Sequence, residues 1–188
     1  MNYINVCFPE SDMNELKNLT GKKMIKYKCD PFEYSASVYG VVALAFENQS
    51  YAITNFVEVM DYYGDTEDVA IFKILQTPYT EICSMVENKE MVETPVDSII
   101  SKVLIVNERQ LLYKNNEPIY EVLLTRGVIF HFKDEHELSF EKNIWFSEDI
   151  TIQKGYDLID RFSPTSEFCE GWSGDYRGEC SREVILLD

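Results

Sequence analysis

Gly40-Val-Val-Ala-Leu-Ala-Phe46, Tyr51-Ala-Ile-Thr-Asn55 and Glu67-Asp-Val-Ala-Ile-Phe-Lys73 follow one another in the first half of the chain. Gly127-Val-Ile-Phe-His-Phe132, Leu138-Ser-Phe-Glu-Lys142 and Glu148-Asp-Ile-Thr-Ile-Gln-Lys154 follow one another in the second. Each segment is short, rich in β-branched and aromatic residues, and bounded by polar residues, which is the pattern of strands joined by tight connections. Phe46 and Phe132 are 86 residues apart, whereas Glu67 and Glu148 are 81 apart. The surplus of the first copy therefore lies between Phe56 and Thr66. A few strands cannot cover their own apolar faces, so two similar units are expected to face each other.

Working outward, Glu10–Leu19 places Met13, Leu16 and Leu19 at helical spacing, with Ser11 or Asp12 available to cap the start and Gly21 beyond the end. Lys22–Lys28 alternates like a strand with lysines on one face, a composition suited to a sheet edge. Thr80–Met91 reads as a weak surface helix, and Glu93–Asp97, with Pro95, as a linker. Ile99–Val106 is a β-branched run, and Asn115-Asn-Glu-Pro118 is a turn before Ile119–Leu124. Gly155–Phe162 fits a helical turn or two. Thr165–Ser181 is rich in Gly, Ser and acids, with Trp172 and Tyr176 as anchors, and Val184–Leu187 suits a final edge strand.

The fold class expected is β-rich α+β: two similar antiparallel β units, an internal repeat, packed as a sandwich or open barrel with a few short helices. The halves would span 1–92, with the N-terminal helix, and 98–188, with the Gly/Ser/acidic segment, joined in one compact unit.

Composition narrows the function classes. No apolar run reaches the roughly 18 to 20 residues of a membrane-spanning helix, and the start lacks the basic residues of a secretion signal. The expectation is a soluble, cytoplasmic bacterial protein. Five cysteines, Cys7, Cys29, Cys83, Cys169 and Cys180, form no CxxC pair, which speaks for free thiols. Seventeen Lys and Arg against 33 Asp and Glu give a net charge of −16. Between Asp30 and Asp97 thirteen acids face only Lys73 and Lys89. Such a field repels nucleic acid and anionic membrane and speeds encounter with a basic partner.

Chemistry-bearing patterns are sparse. His131 and His136, five residues apart across a hairpin loop with Asp134, Glu135 and Glu137, lack metal-ligand spacing and read as a solvated acidic turn. Nothing matches a nucleophile elbow, a phosphate loop, a dinucleotide fingerprint or a zinc-protease helix. Glu67 with Asp68 and Glu148 with Asp149 recur near Tyr62, Tyr63 and Trp145. Neighbours on a strand point to opposite faces, so neither dipeptide is itself a catalytic pair.

The surplus segment is the candidate partner-binding surface. Glu58, Asp61, Asp65, Glu67 and Asp68 surround Met60, Tyr62 and Tyr63, combining steering charge with aromatic contact area. The reading is a non-enzymatic acidic protein that neutralises a basic protein partner, as an immunity protein does a bacterial toxin, with no catalytic residue, cofactor or metal. One alternative is a nucleic-acid mimic that inhibits a DNA- or RNA-binding protein. Another is a hydrolase that sets an acid of one repeat against an acid of the other.

Overall fold

Tight turns and strand-long apolar alternation govern the computed structural model, which describes residues 1–143 and 147–187. Among these the strands are β1 (Asn2–Val6), β2 (Lys23–Cys29), β3 (Ser37–Tyr39), β4 (Val41–Phe46), β5 (Ser50–Tyr62), β6 (Asp65–Gln76), β7 (Val92–Lys114), β8 (Glu117–Phe132), β9 (Glu137–Lys142), β10 (Asp149–Gly155) and β11 (Tyr176–Leu187). Two short helices, α1 (Glu10–Lys17) and α2 (Ser166–Glu170), lie between them. The protein is strand-rich and its pairings are antiparallel, apart from β1, which runs parallel to β8. No helix of the described residues is long and apolar enough to cross a membrane.

The two quoted stretches each form three successive antiparallel strands, β4–β5–β6 and β8–β9–β10. Their first pairings coincide: Val42 faces Ile53, and Val128 faces Phe140. Their third strands do not. Ala52 faces Leu75, two residues after Lys73, whereas Ser139 faces Gln153, one residue before Lys154. The slip follows from the connections, since β5 turns into β6 through two residues after a much longer strand.

β3 runs into β4 through Gly40. β4 pairs with β2 and β5, while β3 pairs with β10, so successive pairings lead from β4 through β2, β7, β8, β9 and β10 back to β3. Gly40 makes this possible with φ +67°, and a Cβ there would meet the Phe56 ring at 2.6 Å. Its N–H donates to Glu148 O at 3.0 Å and its carbonyl accepts from Asn55 N at 2.8 Å. The Asn55 amide adds bonds to the Ser147 and Asp149 carbonyls at 3.0 and 3.2 Å, fastening the start of β10 to this junction.

Leu16, Met24, Leu44, Ile53, Phe72, Ile105, Phe130, Phe140 and Ile152 belong to the main core. β8 serves this core only as far as Gly127. Val106 faces Gly127 but Asn107 faces Thr125, so Arg126 is an extra residue, a bulge that exchanges the faces of the strand. Beyond it Val122 and Leu124 join a second cluster with Tyr62 and Val69. β5 changes faces in parallel. Tyr51 and Ile53 point into the main core, whereas Met60 and Tyr62, of opposite parity, point into the second cluster.

Several expectations need correction. α1 begins after Pro9, and neither Ser11 nor Asp12 caps it; Asp12 instead accepts the Ile74 amide on β6 at 3.3 Å. β2 is an interior strand between β4 and β7, not an edge. Its lysines are accommodated because their stems run outward along Tyr79, with the Lys28 ammonium 4.4 Å from that ring and Lys26 paired with Glu93 at 2.6 Å. The expected linker at Glu93–Asp97 is the start of β7, and Pro95 falls at the irregularity in the β2 pairing, where a missing N–H is tolerated. The stretch 80–91 holds only a 3-10 turn, Tyr79–Glu81, followed by bends. The last strand is β11, far longer than Val184–Leu187, and it pairs with β7 over its length. All five cysteines are free thiols.

Candidate functional site

The surplus segment forms the distal half of the β5–β6 hairpin, a two-stranded finger from Val57 to Asp68. Tyr63 and Gly64 make its turn, with φ of 59° and 100°. Two positive φ values define the primed turn whose twist matches the hairpin's, at some steric cost for Tyr63. Asp61 Oδ1 holds the turn by accepting the Gly64 amide at 2.9 Å and the Tyr120 hydroxyl at 3.2 Å.

Both tyrosines turn away from solvent. Tyr62 is 3% exposed, and the Tyr63 ring lies 4.6 Å from Tyr62, 5.5 Å from Tyr120, 5.6 Å from Phe168 and 5.2 Å from Trp172. Their hydroxyls donate to the same buried atom, Gln110 Oε1, at 3.3 and 3.0 Å. Burial pushes both phenols well above the usual tyrosine range. These rings anchor the finger to β7, β8 and the α2 region; they do not supply an exposed aromatic contact.

The carboxylates divide into two sets. Glu58 pairs with Lys73, and Asp61 is spent on the turn. Asp65, Glu67 and Asp68 are exposed, and among the described residues they have no ion-pair partner. Val57 and Val59, 40% and 70% exposed, share one face of the finger with Asp68, which lies directly opposite Val59, whereas Glu67 and Asp65 stand opposite Met60 and Tyr62 on the other face. One face of the finger thus carries a small aliphatic strip bordered by Asp68, while the exposed Asp65 and Glu67 lie on the other face. The seven residues singled out in the sequence do share one hairpin, but Tyr62 and Tyr63 face its interior.

Polar groups from distant segments support the finger. Lys142 on β9 donates to Ala70 O on β6, which covers part of that strand's outer edge. Behind it Arg126 lies 3.1 Å from Glu141 and 3.9 Å from Glu108, while Arg182 bonds Glu108 and the Ser163 carbonyl, both at 2.6 Å. Burial, reinforced by the Arg126 charge, pushes the Lys142 ammonium down to about 7. Burial raises the Glu141 carboxyl despite Arg126. No sequence pattern marked these residues, because the contacts span 74 positions for Arg182 and Glu108 and 72 for Lys142 and Ala70.

The other sequence candidates lie apart. Glu148 accepts the Tyr39 hydroxyl and, at 3.3 Å, the Val57 amide, so it caps the base of the finger. Glu67 and Asp68 sit on the finger itself, and Trp145 lies outside the described residues. His131 Nδ1 is 2.7 Å from Glu137, and burial holds this imidazole below the usual histidine range against the pull of that carboxylate. His136 stacks against Tyr156 with ring centroids 4.8 Å apart. Among the described residues no three His, Cys, Asp or Glu side chains converge as a metal set. Comparison with protein-family models, curated proteins and solved structures returns no match.

Proposed function

We propose that this chain is a non-enzymatic, acidic binding protein of the cytoplasm that neutralises a basic protein partner, in the manner of an immunity protein bound to a bacterial toxin. The observation that carries the reading is the finger surface. Asp65, Glu67 and Asp68 are exposed on one projecting hairpin and among the described residues have no ion-pair partner, with Asp68 beside the exposed Val57 and Val59, in a chain of net charge −16. Exposed aliphatic area and uncompensated acidic charge on the same projecting hairpin couple contact to fast, steered encounter. The finger is rigidly presented, since its tyrosines and Lys142 fix it to the body. On the same reading the two three-stranded units descend from one duplicated unit, and the chain of pairings from β4 back to β3 makes an open barrel.

The test is affinity for a basic partner captured from native lysate, purified, and titrated against the wild-type protein and D65K/E67K/D68K at several salt concentrations. Reversing these three charges should weaken binding at low salt by about tenfold or more and flatten its salt dependence. Equal affinity and equal salt dependence in the two proteins would remove the finger from the binding site.

A further inference from the structure

Two long strands, β6 and β11, end the pairing pattern, and their outer edges are treated differently. The edge of β6 is closed by side chains: Lys142 donates to Ala70 O, and Asp12 accepts the Ile74 amide at 3.3 Å. β11 pairs with β7 along Tyr176–Leu187, and among the described residues its other edge pairs with no strand. Unpaired main-chain donors and acceptors along such an edge are a template for another strand.

The side chains of β11 select the strand that fits. Arg177, Glu179, Ser181 and Glu183 share one face and are exposed, while Tyr176 and Val184, on the other face, are 38% and 44% exposed. Arg177 lies over the Tyr113 ring at 4.2 Å and pairs with Glu179 through one nitrogen, which leaves other donors of its guanidinium free. Glu183 is in no ion pair among the described residues. A twofold axis normal to the sheet sets two copies of β11 antiparallel and keeps each face with its like. With that axis at Cys180, Arg177 of each copy falls opposite Glu183 of the other, Glu179 opposite Ser181, and Tyr176 opposite Val184. An axis at Glu179 sets that glutamate against itself, and one at Ser181 sets Glu179 against Glu183. Opposite charges directly across a pair stabilise it and like charges destabilise it, so charge chooses the register at Cys180.

We propose that two copies of this chain associate through the free edge of β11, antiparallel about a twofold axis at Cys180, so that the β7–β11 sheet of one continues into that of the other. The contact is isologous and closes at two copies. Chains of net charge −16 repel one another, and this strip is where their charges match. The association is independent of the function proposed above.

The experiment is analytical ultracentrifugation of the full-length protein from about 1 to 200 μM in roughly 150 mM NaCl, where the screening length is near 8 Å. The wild type should show a reversible monomer–dimer equilibrium. R177E and E183R, each of which turns two attractive pairs into two repulsive ones, should raise the dimer dissociation constant about tenfold or more. R177E/E183R restores both pairs and should return the constant to within about threefold of wild type. Six positions apart on one strand, the two side chains stand roughly 20 Å from each other within a chain, so only a contact between copies produces that rescue. A wild type that stays monomeric, a larger or open-ended assembly, a dimer indifferent to both single changes, or a double variant no better than the single ones would overturn the proposal. Both positions are exposed, and E183R removes no described ion pair, so it carries the test even where R177E disturbs folding.

Discussion

Lys142 shows how a single buried ammonium is tolerated in this protein. Its donor reaches Ala70 O, while burial and Arg126 oppose the charge, so its folded-state value falls from 10.5 to about 7. Between those values the unfolded chain binds the proton and the folded one does not. Stability therefore rises as pH increases through this window, by at most roughly 1.4 kcal/mol per pH unit for one proton. Cys29 and Cys180, pushed up to about 11 and 12 by burial, act with the opposite sign above their unfolded value of 9.0. The clean interval is about pH 7.5 to 8.5, where urea unfolding of the wild type should gain stability and K142M should lose that gain. A K142M protein with the wild-type slope would show that the proton belongs to another group. Nothing in the pattern of β9 marks this residue, since Lys142 follows Glu141 like the end of any exposed strand, and its partner Ala70 comes from β6, 72 positions away.

At the scale of elements, the finger depends on partners remote in sequence. Trp172, between α2 and β11, packs on Tyr63 at 5.2 Å and on Phe168 at 5.7 Å, and Gly178 admits it: a Cβ there would come 2.5 Å from the indole. W172A should loosen the finger selectively. Hydrogen exchange at amides 57–68 should accelerate by tenfold or more, whereas amides of β4 and β9 in the main core should keep wild-type protection. Uniform acceleration would mean that the finger and the core open as one unit. The strands of both quoted stretches were legible, as was the Asn115–Asn116 turn, whose φ values of 49° and 66° suit asparagine. The orientation of Tyr62 and Tyr63 was not. Their neighbours in sequence are acids, which suggests solvent, but Tyr120, Phe168 and Trp172 arrive from other segments and bury them. Likewise β2 looked like an edge because its lysines alternate, and only Tyr79 and Glu93 reveal how an interior strand carries them.

Over the whole molecule, a net charge of −16 repels itself in the compact state more than in the expanded one. Raising NaCl from about 20 to 300 mM shortens the screening length from roughly 20 Å to below 8 Å, so the melting temperature should increase by a few degrees. A decrease would mean that the exposed ion pairs, such as Lys23 with Asp97 at 2.6 Å, outweigh the repulsion. D65K/E67K/D68K changes the net charge by six and should show a smaller salt response.

The junction at Gly40 also sets an order of events during synthesis. β4 can meet β5 as soon as the first hairpin leaves the ribosome, but β3, separated from β4 by Gly40 alone, must wait for β10, and β2 must wait for β7 before its second edge is paired. The Asn55 amide has its carbonyl acceptors at Ser147 and Asp149, more than ninety residues downstream. A nascent chain halted before residue 149 therefore holds its first β-hairpin beside unmated backbone, and the protein matures late, when translation has supplied β10.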